Sequence, residues 1–507
     1  MYSKVKSVGI YGLESFLVDV EVDVSSGLPR FDIVGLPDTA VDEAKDRVRA
    51  ALKNAGYKFP VSRITVNLAP AEVKKAGTIY DLPIAMALLS ATNQIKADLN
   101  DRAFVGELSL DGKIRRISGA LPMIIKAREL GLREIYIPHD NAAEGSVIDS
   151  IDVYALEGLD ALIKHLTEEE KLETVRESDF PRREKMYSVD FADVKGQNEA
   201  KRAMEIAAAG GHNIILVGSP GSGKSMLAKR LPTILPDLSF EEAIETTNIY
   251  SVAGLLPKGV PIVTARPFRS PHHTVSAVGL TGGGSVPKPG EVSLAHNGVL
   301  FLDEMPEFSR QSLESLRQPI EDGVVTISRV AGRFSYPCSI MLVCAMNPCP
   351  CGYSGHPTKG CTCPPGAVTK YLSKVSGPLL DRIDIHVHVP PVEYSQLADK
   401  TPCESSAEIK KRVCAAREIQ RKRFQNTGIY CNAKMSSSDV RKYCVLSNVA
   451  EMFLQKAFEK MSMSARAYDK VLKIARTIAD LDGAQEIDLM HISEALQYRN
   501  LDRKFGV

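Results

Sequence analysis

Tryptophan and long apolar runs are both missing from this sequence of 507 residues. With aromatic residues at only 6%, broad surfaces for stacking nucleic-acid bases are less expected than contacts with a phosphodiester backbone. A membrane helix requires about 18 consecutive apolar residues, and no such run occurs. The first residues also lead into no signal-peptide core. We therefore expect a cytoplasmic protein without membrane contact.

Neither sign of charge predominates, since 63 Lys and Arg residues stand against 62 Asp and Glu residues, a net charge of +1. Any contact with nucleic acid must therefore come from local clusters of charge. A hydrophobic content of 44% with 25% charged residues is typical of globular proteins. Ten cysteines without a secretion signal indicate reduced thiols or a metal site, not a disulfide framework.

The chain is long enough for about three domains. Residues 1–166 mix short strands with helices and predict an α+β domain, and the charged segment 167–188 predicts a linker. Residues 189–395 repeat strand-then-helix units, and residues 396–507 are helical in pattern. The N-terminal pattern predicts strands at Val5–Ile10, Leu17–Val22, Ile64–Leu68 and Glu134–Ile137, and helices at Thr39–Ala55 and Leu82–Ala91.

The segment from Gly218 to Ser225, GSPGSGKS, matches the phosphate-binding loop pattern G-x-x-x-x-G-K-[ST] in full. An apolar strand, Asn213–Val217, precedes it, and a helix begins near Met226. Glycines let backbone N–H groups converge on a phosphate, Lys224 reaches the β- and γ-phosphates, and the Ser225 hydroxyl binds Mg²⁺. The predicted ATP-binding residues are Gly218, Ser219, Pro220, Gly221, Ser222, Gly223, Lys224, Ser225 and Met226.

Two further strands end in polar residues. Val299–Leu302 is followed by Asp303, predicted to hold Mg²⁺ through water, and by Glu304, predicted to orient and polarise the attacking water. The strand Ser339–Met346 ends at Asn347. Its amide either positions that water and senses the γ-phosphate, or only caps the next turn.

The order of these motifs resembles that of AAA+ ATPases of the magnesium-chelatase branch. The motifs include residues 190–197 (DFADVKGQ), 377–384 (GPLLDRID) and 464–466 (SAR). Over nearly its whole length the chain is similar to the YifB/ComM family. The resemblance implies an α/β fold, in which a P-loop ATPase core with a helical lid follows a Lon-protease-like, ribosomal-protein-type α+β domain. It also implies a homo-oligomeric ring, a hexamer, with ATP bound between subunits.

By position, the resemblance makes Asn347 a first sensor, Arg382 an arginine finger acting on a neighbour's ATP, and Arg466 a second sensor. A simple surface ion pair of Arg382 with Asp381 or Asp384 is the alternative.

Two insertions typical of this branch are expected. Residues 265–290 are predicted to interrupt the second helix of the core. Gly323–Pro337 is predicted to form a β-hairpin facing a pore, where Arg329 and Arg333 either grip a nucleic-acid backbone or are simply solvated. The basic helix Glu408–Phe424 is either a DNA-facing stripe or a solvated helix of the lid, and we favour the second interpretation.

The N-terminal domain resembles Lon through residues 76–83 (AGTIYDLP) and 106–120 (GELSLDGKIRRISGA). Active Lon domains require a serine activated by a lysine. Here residues 79–81 contain no serine, and Leu121 and Pro122 stand where the lysine is expected. We therefore predict a scaffold or substrate-handling module without protease chemistry. Lys113, Arg115 and Arg116 either contact nucleic acid or belong to a solvated turn.

Four cysteines form two C-x-C pairs in the loop after Asn347. Cys349, Cys351, Cys361 and Cys363 can supply four thiolates to one Zn²⁺, although the usual zinc spacing is C-x₂₋₄-C. His356 is an alternative ligand, and a reduced loop without metal is the other interpretation.

The expected function is an ATP-hydrolysing ring motor on DNA, with ATP and Mg²⁺ as its nucleotide and metal. The family resemblance suggests a helicase that promotes branch migration in recombination or natural transformation. The alternative is a magnesium-chelatase-type accessory ATPase that remodels a protein partner. An ATP-dependent protease is disfavoured by the missing serine and lysine.

Overall fold

A computed structural model describes residues 1–176, 187–284, 287–329, 332–398, 401–461 and 463–499. Part of the predicted linker and the tip of the predicted hairpin lie outside these residues. The N-terminal strands are Tyr2–Tyr11 (β1), Glu14–Ser25 (β2), Arg30–Val34 (β3), Arg63–Ala69 (β4), Arg102–Phe104 (β5), Glu107–Leu108 (β6), Ile114–Arg115 (β7), Glu134–Pro138 (β8) and Asp152–Leu156 (β9). The helices among them are Thr39–Asp42 (α1), Ala44–Asn54 (α2), Asp81–Ala91 (α3), Ala120–Glu129 (α4), Ala142–Gly145 (α5) and Leu159–Leu166 (α6).

The N-terminal region is built on a mixed seven-stranded sheet in the order β3-β4-β2-β1-β5-β8-β9. Strands β1, β2 and β4 pair antiparallel, and alternate residues of each strand enter one core, which α3 covers. The predicted helix Thr39–Ala55 is two helices, because the backbone tightens at Glu43, whose carbonyl accepts from Asp46 three residues on. The four predicted strands and the helix Leu82–Ala91 lie within observed elements.

The central region contains a five-stranded sheet. Its strands, in chain order, are Ile214–Gly218 (β10), Phe268–Arg269 (β11), Val299–Leu302 (β14), Met341–Met346 (β17) and Ile385–Val389 (β18). The short pair Gly282–Gly283 (β12) and Lys288–Pro289 (β13) and the hairpin Val324–Arg329 (β15) and Gly332–Pro337 (β16) lie outside it. The helices of this region are Asn198–Gly210 (α7), Lys224–Ile234 (α8), Phe240–Ala253 (α9), Ala277–Thr281 (α10), Glu291–Leu294 (α11), Arg310–Ser315 (α12), Arg317–Asp322 (α13), Ala367–Leu372 (α14) and Gly377–Leu380 (α15).

The central sheet is entirely parallel, in the order β11-β14-β17-β10-β18. Both faces are buried, as parallel sheets require. Along β10, Ile214 and Leu216 enter one core, and Ile215 and Val217 enter the core on the opposite face. Because all five strands run the same way, the carboxyl ends of β10, β14 and β17 meet at one edge of the sheet.

The segment predicted as an insertion, residues 265–290, is partly core. Phe268 and Arg269 pair in parallel with Val299 and Leu300, so this part of the segment forms the edge strand of the sheet. A two-residue strand is too short to give a recognisable pattern, which is why the sequence did not reveal it. The described residues that follow include α10, β12 and β13, which lie outside the five-stranded sheet.

The N-terminal region contacts α9 and the loop that follows it. The Gly119 N–H donates to the Ser251 carbonyl at 2.9 Å, and Lys258 pairs with Asp140 at 2.6 Å. Arg116, predicted either to contact nucleic acid or to lie in a solvated turn, donates instead to the Leu256 carbonyl. This arginine therefore joins two parts of the same chain.

The C-terminal region is helical. Its helices are Tyr394–Ala398 (α16), Ser406–Arg423 (α17), Ser437–Tyr443 (α18), Asn448–Met461 (α19), Ala465–Leu481 (α20) and Leu489–Gln497 (α21). Helix α19 ends at Met461, and Ser464 caps the start of α20 by accepting from the Ala467 N–H. Among the described helices, none has the length and apolar character that crossing a bilayer requires.

A buried ion cluster holds α17 against α20. Both Arg423 and Arg476 donate to the carboxylate of Asp480, which also accepts from the Asn432 side chain at 2.8 Å. The Asp480 and Arg476 side chains are 0% and 1% exposed. Burial lowers the pKa of Arg476, and Asp480 opposes that shift.

Replacing Asp480 by alanine is expected to destabilise this helical region by about 3–5 kcal/mol, because a buried arginine loses its counter-charge. Hydrogen exchange in the full chain, followed on α17 and α20, measures the change. Asp482→Ala is the matched control, since its carboxylate is 51% exposed and its ion pairs contribute about 0–1 kcal/mol. Equal protection in the two variants would contradict the expectation.

Candidate nucleotide site

The phosphate loop connects the end of β10 to the start of α8. Gly221 and Gly223 have φ angles of +78° and +93°, which side-chain-bearing residues rarely adopt. A Cβ atom at either position would meet nothing within 4 Å. The two glycines are therefore required by the backbone conformation and not by crowding, and their outer side is free for a ligand.

The residues of this loop fit a bound phosphate. The hydroxyls of Ser219 and Ser222 are buried, and neither has a hydrogen-bond partner within the described part of the chain. The first turn of α8 directs its free N–H groups to the same place, and a helix N-terminus favours an anion. Pro220 within the loop and Met226 directly after it are exposed.

Lys224 lies inside this cradle. Its ammonium donates to the carbonyls of Gly218 at 2.8 Å and Ser219 at 2.9 Å, and to the Asn347 side-chain oxygen at 3.2 Å. Burial lowers the pKa of Lys224, and the carboxylates of Asp303 and Glu304 act against that shift. The structure thus brings Lys224 and Asn347 together from the ends of adjacent strands.

The acidic pair faces the same site from β14. The Ser225 hydroxyl donates to a carboxylate oxygen of Asp303 at 2.6 Å, which joins the two predicted Mg²⁺ ligands. Hydroxyl and carboxylate oxygens are ligands that Mg²⁺ prefers, so this pair fits that metal. Glu304 has a φ of +51°, unusual outside glycine, and its side chain is 60% exposed. This left-handed backbone lies two residues after the last residue of β14.

Two residues near this site were not predicted from the sequence. His273 Nδ1 lies 3.9 Å from a Glu304 carboxylate oxygen. Gln197 donates from its amide to the carbonyls of Ser222 at 3.2 Å and Pro390 at 2.6 Å, tying the phosphate loop to the end of β18. Both belong to segments noted in the sequence, but their partners lie 25 or more residues away, beyond any local pattern.

Arg382 lies at the other edge of the sheet, before β18 begins. Its guanidinium donates to the carboxylate of Glu321 and, at 2.6 Å, to the Pro378 carbonyl. The expected alternative, a pair with Asp381 or Asp384, is not formed. Asp384 instead pairs with Lys470 at 3.2 Å.

Arg466 lies near Arg382. Both line one cleft, together with Asp469 and with residues that precede β10, β17 and β18. Arg466 is exposed and forms no ion pair with any residue in the described ranges. The structure therefore separates the predicted residues into two sets. Lys224, Ser225, Asp303, Glu304 and Asn347 meet at the carboxyl edge, and Arg382 and Arg466 lie at the amino edge.

The basic residues of α17 are largely engaged within the chain. Arg417 donates to the Ala208 carbonyl at 3.0 Å. Four other side chains form ion pairs: Lys410 with Asp237, Arg412 with Glu205 and Glu404, Arg421 with Glu418, and Arg423 with Asp480. These contacts favour a structural role for the helix over a DNA-facing stripe.

The hairpin of β15 and β16 forms as predicted, with Arg333 exposed near its tip. Ala331 and the side chain of Arg329 lie outside the described residues. The rings of Phe334 and Tyr11 pack with centroids 4.4 Å apart, so the N-terminal region contacts this hairpin.

The residues that resemble Lon make contacts within the chain. Asp81 is buried and accepts from Arg47 at 2.6 Å, and Tyr80 lies in the core. Leu121 and Pro122 are buried in α4. Lys113 and Arg115 pair with Asp111 and Glu107 at the surface.

The four cysteines of the two C-x-C pairs meet. Their sulfur atoms all lie within 4.8 Å of one another, and Cys349 is buried. The Tyr353 N–H, with smaller contributions from Thr362 and neighbouring thiols, lowers the pKa of Cys351 to about 5. His356, the alternative ligand, does not belong to this group and accepts from the Lys359 N–H at 3.1 Å.

Three sequence models of one protein family match the chain. The model described as magnesium chelatase, subunit ChlI, matches residues 190–397. The model for subunit ChlI of Mg-chelatase matches residues 20–141, and that for the ChlI C-terminal part matches residues 403–499.

Full-length relatives are also found. YifB of Escherichia coli (strain K12) is 44% identical over 496 residues, 97% of this chain and 96% of its own length. The competence protein ComM of Haemophilus influenzae is 44% identical over 501 residues, with the same coverage. Lon protease 2 of Bacillus subtilis is 26% identical over 189 residues, 33% of this chain and 34% of its own length.

Proposed function

This chain belongs to the magnesium-chelatase-like family that includes YifB and ComM, and from that premise we propose that it is an ATP-hydrolysing ring motor acting on DNA. The observation that carries the proposal is the separation of Arg382 from Lys224 across the central sheet. If Arg382 acts on the ATP of a neighbouring subunit, it must lie far from the phosphate loop of its own subunit.

Within one subunit Arg382 cannot reach a phosphate held by Lys224. The two residues lie at opposite ends of five-residue strands, which span about 16 Å at 3.3 Å per residue. In a head-to-tail ring the amino edge of one sheet faces the carboxyl edge of the next, so Arg382 and Arg466 approach the neighbour's nucleotide.

We propose that the ring is a hexamer. Each chain is divided into a Lon-like domain (1–166), a linker (167–188), an ATPase core (189–395) and a lid (396–507).

The chemistry follows from the residues at the carboxyl edge. Lys224 and the loop N–H groups bind the β- and γ-phosphates, and Asn347 orients the attacking water. Glu304 accepts that water's proton, and the exposure of its carboxylate supports this role. Ser225 and Asp303 would hold Mg²⁺, which would neutralise charge on the phosphate oxygens. Arg382 of the neighbour stabilises the charge that develops on the transferred phosphoryl group.

DNA is proposed as the substrate of the motor. The name of the ComM relative refers to competence, the state in which cells take up DNA. The exposed Arg333 on the hairpin offers positive charge to a phosphodiester backbone without reading bases. We therefore propose that the motor promotes branch migration of DNA, as in recombination or transformation.

ATP hydrolysis is expected to rise severalfold with branched or single-stranded DNA, and the stimulation is expected to weaken steeply between about 50 and 200 mM salt. Steady-state ATPase rates with and without each DNA, at both salt concentrations, measure this. Replacing Arg333 by alanine should lower the apparent DNA affinity and reduce its salt dependence by about one phosphate contact per chain.

Arg30→Ala is the matched control for that variant, because Arg30 pairs with Asp32 on the surface of the N-terminal region. If no DNA structure changes the rate of ATP hydrolysis at low salt, the proposal of a DNA substrate is contradicted. The proposed ATPase activity is not affected by that result.

The second candidate function is an accessory ATPase that remodels a protein partner. The matching family models favour it, since they describe a subunit of magnesium chelatase. Stimulation of hydrolysis by a protein partner in the absence of DNA separates this function from the first.

The four clustered cysteines extend the proposal to a second metal. We propose that Cys349, Cys351, Cys361 and Cys363 bind one Zn²⁺ as thiolates. The approach of all four sulfur atoms to within 4.8 Å of one another supports it.

A further inference from the structure

We infer that this cysteine site is coupled to the nucleotide site: zinc held by the four thiolates fixes the phosphate loop and Asn347, so that zinc and nucleotide each strengthen the binding of the other. The inference rests on the proposed zinc and ATP sites. Its evidence is a direct contact between the cysteine loop and the phosphate loop.

Three of the four sulfur atoms lie at distances close to those of a tetrahedral zinc site, and all four lie within 4.8 Å of one another. With Zn–S bonds of about 2.3 Å, tetrahedral geometry places neighbouring sulfurs about 3.8 Å apart. Cys349 Sγ lies 3.3 Å from Cys351 Sγ and 3.7 Å from Cys361 Sγ, and the Cys351–Cys361 distance is 3.5 Å. Backbone N–H groups support the ligands, since Ser354 donates to Cys349 Sγ at 3.2 Å and Cys351 to Cys363 Sγ at 3.4 Å.

Gly352, the residue after Cys351, packs on the phosphate loop. It is buried, and a Cβ atom there would lie 2.4 Å from Pro220 Cδ. Its N–H donates to the Cys349 carbonyl at 3.0 Å, so the turn that carries two zinc ligands presents Gly352 to Pro220. If the conformation of this turn changes, either Gly352 or the phosphate loop must therefore move.

The cysteine loop is also directly connected to Asn347. This residue lies two positions before Cys349, and its side chain accepts from Lys224. Its backbone lies close to the Tyr371 hydroxyl, on the helix that follows the cysteine loop, and acts against the rise that burial causes in the pKa of that hydroxyl. The chain thus leaves the nucleotide site at Asn347, passes through all four cysteines and returns at Tyr371.

Bound zinc is expected to order the cysteine loop. The metal would join two C-x-C pairs that are separated by nine residues of loop, and so remove much of the loop's conformational freedom. Without that cross-link, the contacts at Pro220 and Asn347 must be ordered when nucleotide binds, which costs affinity. Linkage requires that nucleotide strengthen zinc binding by the same factor.

The test measures both sides of this linkage on the full chain. Zinc affinity is measured by competition with a coloured chelator, with and without saturating ADP, and ADP affinity is measured before and after zinc removal. We expect one zinc per chain, and about a tenfold increase in each affinity when the other ligand is present.

Variants assign the effect. Cys361→Ser, at an exposed ligand, should lose zinc and weaken ADP binding about tenfold, whereas Cys414→Ser, outside the cluster, should change neither. Lys224→Ala should keep its zinc but lose the effect of ADP on zinc affinity.

Three results would overturn the inference: no bound metal, a coloured iron centre in place of zinc, or bound zinc whose affinity ADP does not change. Failure of ADP to bind the zinc-loaded wild-type chain would instead contradict the proposed ATP site, and the zinc content would still be measured independently.

Discussion

Replacing Arg382 by alanine is expected to slow ATP hydrolysis by about 10³-fold or more, while the affinity for nucleotide changes little. An arginine finger, the role proposed for Arg382, acts mainly in the transition state, when charge moves onto the oxygens of the transferred group. In the structure the Arg382 guanidinium pairs with the carboxylate of Glu321. To bind the neighbour's phosphate, Arg382 must therefore release Glu321.

Mixing variants tests whether this arginine acts on a neighbour. Arg382→Ala and Lys224→Ala are each expected to be inactive, but their mixture should recover part of the activity at hybrid junctions. In such a junction an intact Arg382 meets an intact Lys224. Arg421→Ala is the control, because its exposed guanidinium pairs only with Glu418 among the described residues. A monomer that hydrolyses ATP at full rate, or a mixture that recovers nothing, would contradict the shared site.

Replacing Glu304 by glutamine is expected to reduce hydrolysis by about 10²–10⁴-fold and to leave ATP binding intact. The amide keeps the size of the side chain but cannot accept the proton of the attacking water. Lys224→Ala differs, because it removes a phosphate ligand and should lose binding as well as turnover.

Single-turnover hydrolysis and nucleotide affinity, measured together, separate these two effects. Glu307→Gln is the control for Glu304, since this nearby carboxylate is 45% exposed and pairs with Lys374. Loss of ATP binding in Glu304→Gln, or normal turnover, would contradict the role given to Glu304.

Local parts of the fold could be predicted from the sequence, because their patterns are short. The sequence predicts a strand at Asn213–Val217, and the structure has it at Ile214–Gly218, followed by a helix. The mixed α/β class with parallel strands is confirmed. The strands before Asp303 and Asn347 likewise end close to the predicted positions.

Contacts between distant residues could not be predicted in the same way. Arg382 finds Glu321, 61 positions earlier, and not its neighbours Asp381 and Asp384. The approach of His273 to Glu304 and the packing of Gly352 on Pro220 depend on how whole segments cross, which no local spacing encodes. The cysteines could be noticed from their spacing, but their convergence required the folded loop.

The parallel direction of the central sheet has a consequence for any assembly. Because the two halves of the proposed reaction centre lie at opposite ends of the strands of one sheet, a contact that unites them joins unlike surfaces. Such a contact excludes a two-fold axis between neighbours, and repeated copies close into a circle only if the rotation fits. All copies then point the same way around that circle, and its top and bottom differ. A polymer that passes through the centre of the ring would therefore contact a different face at each end.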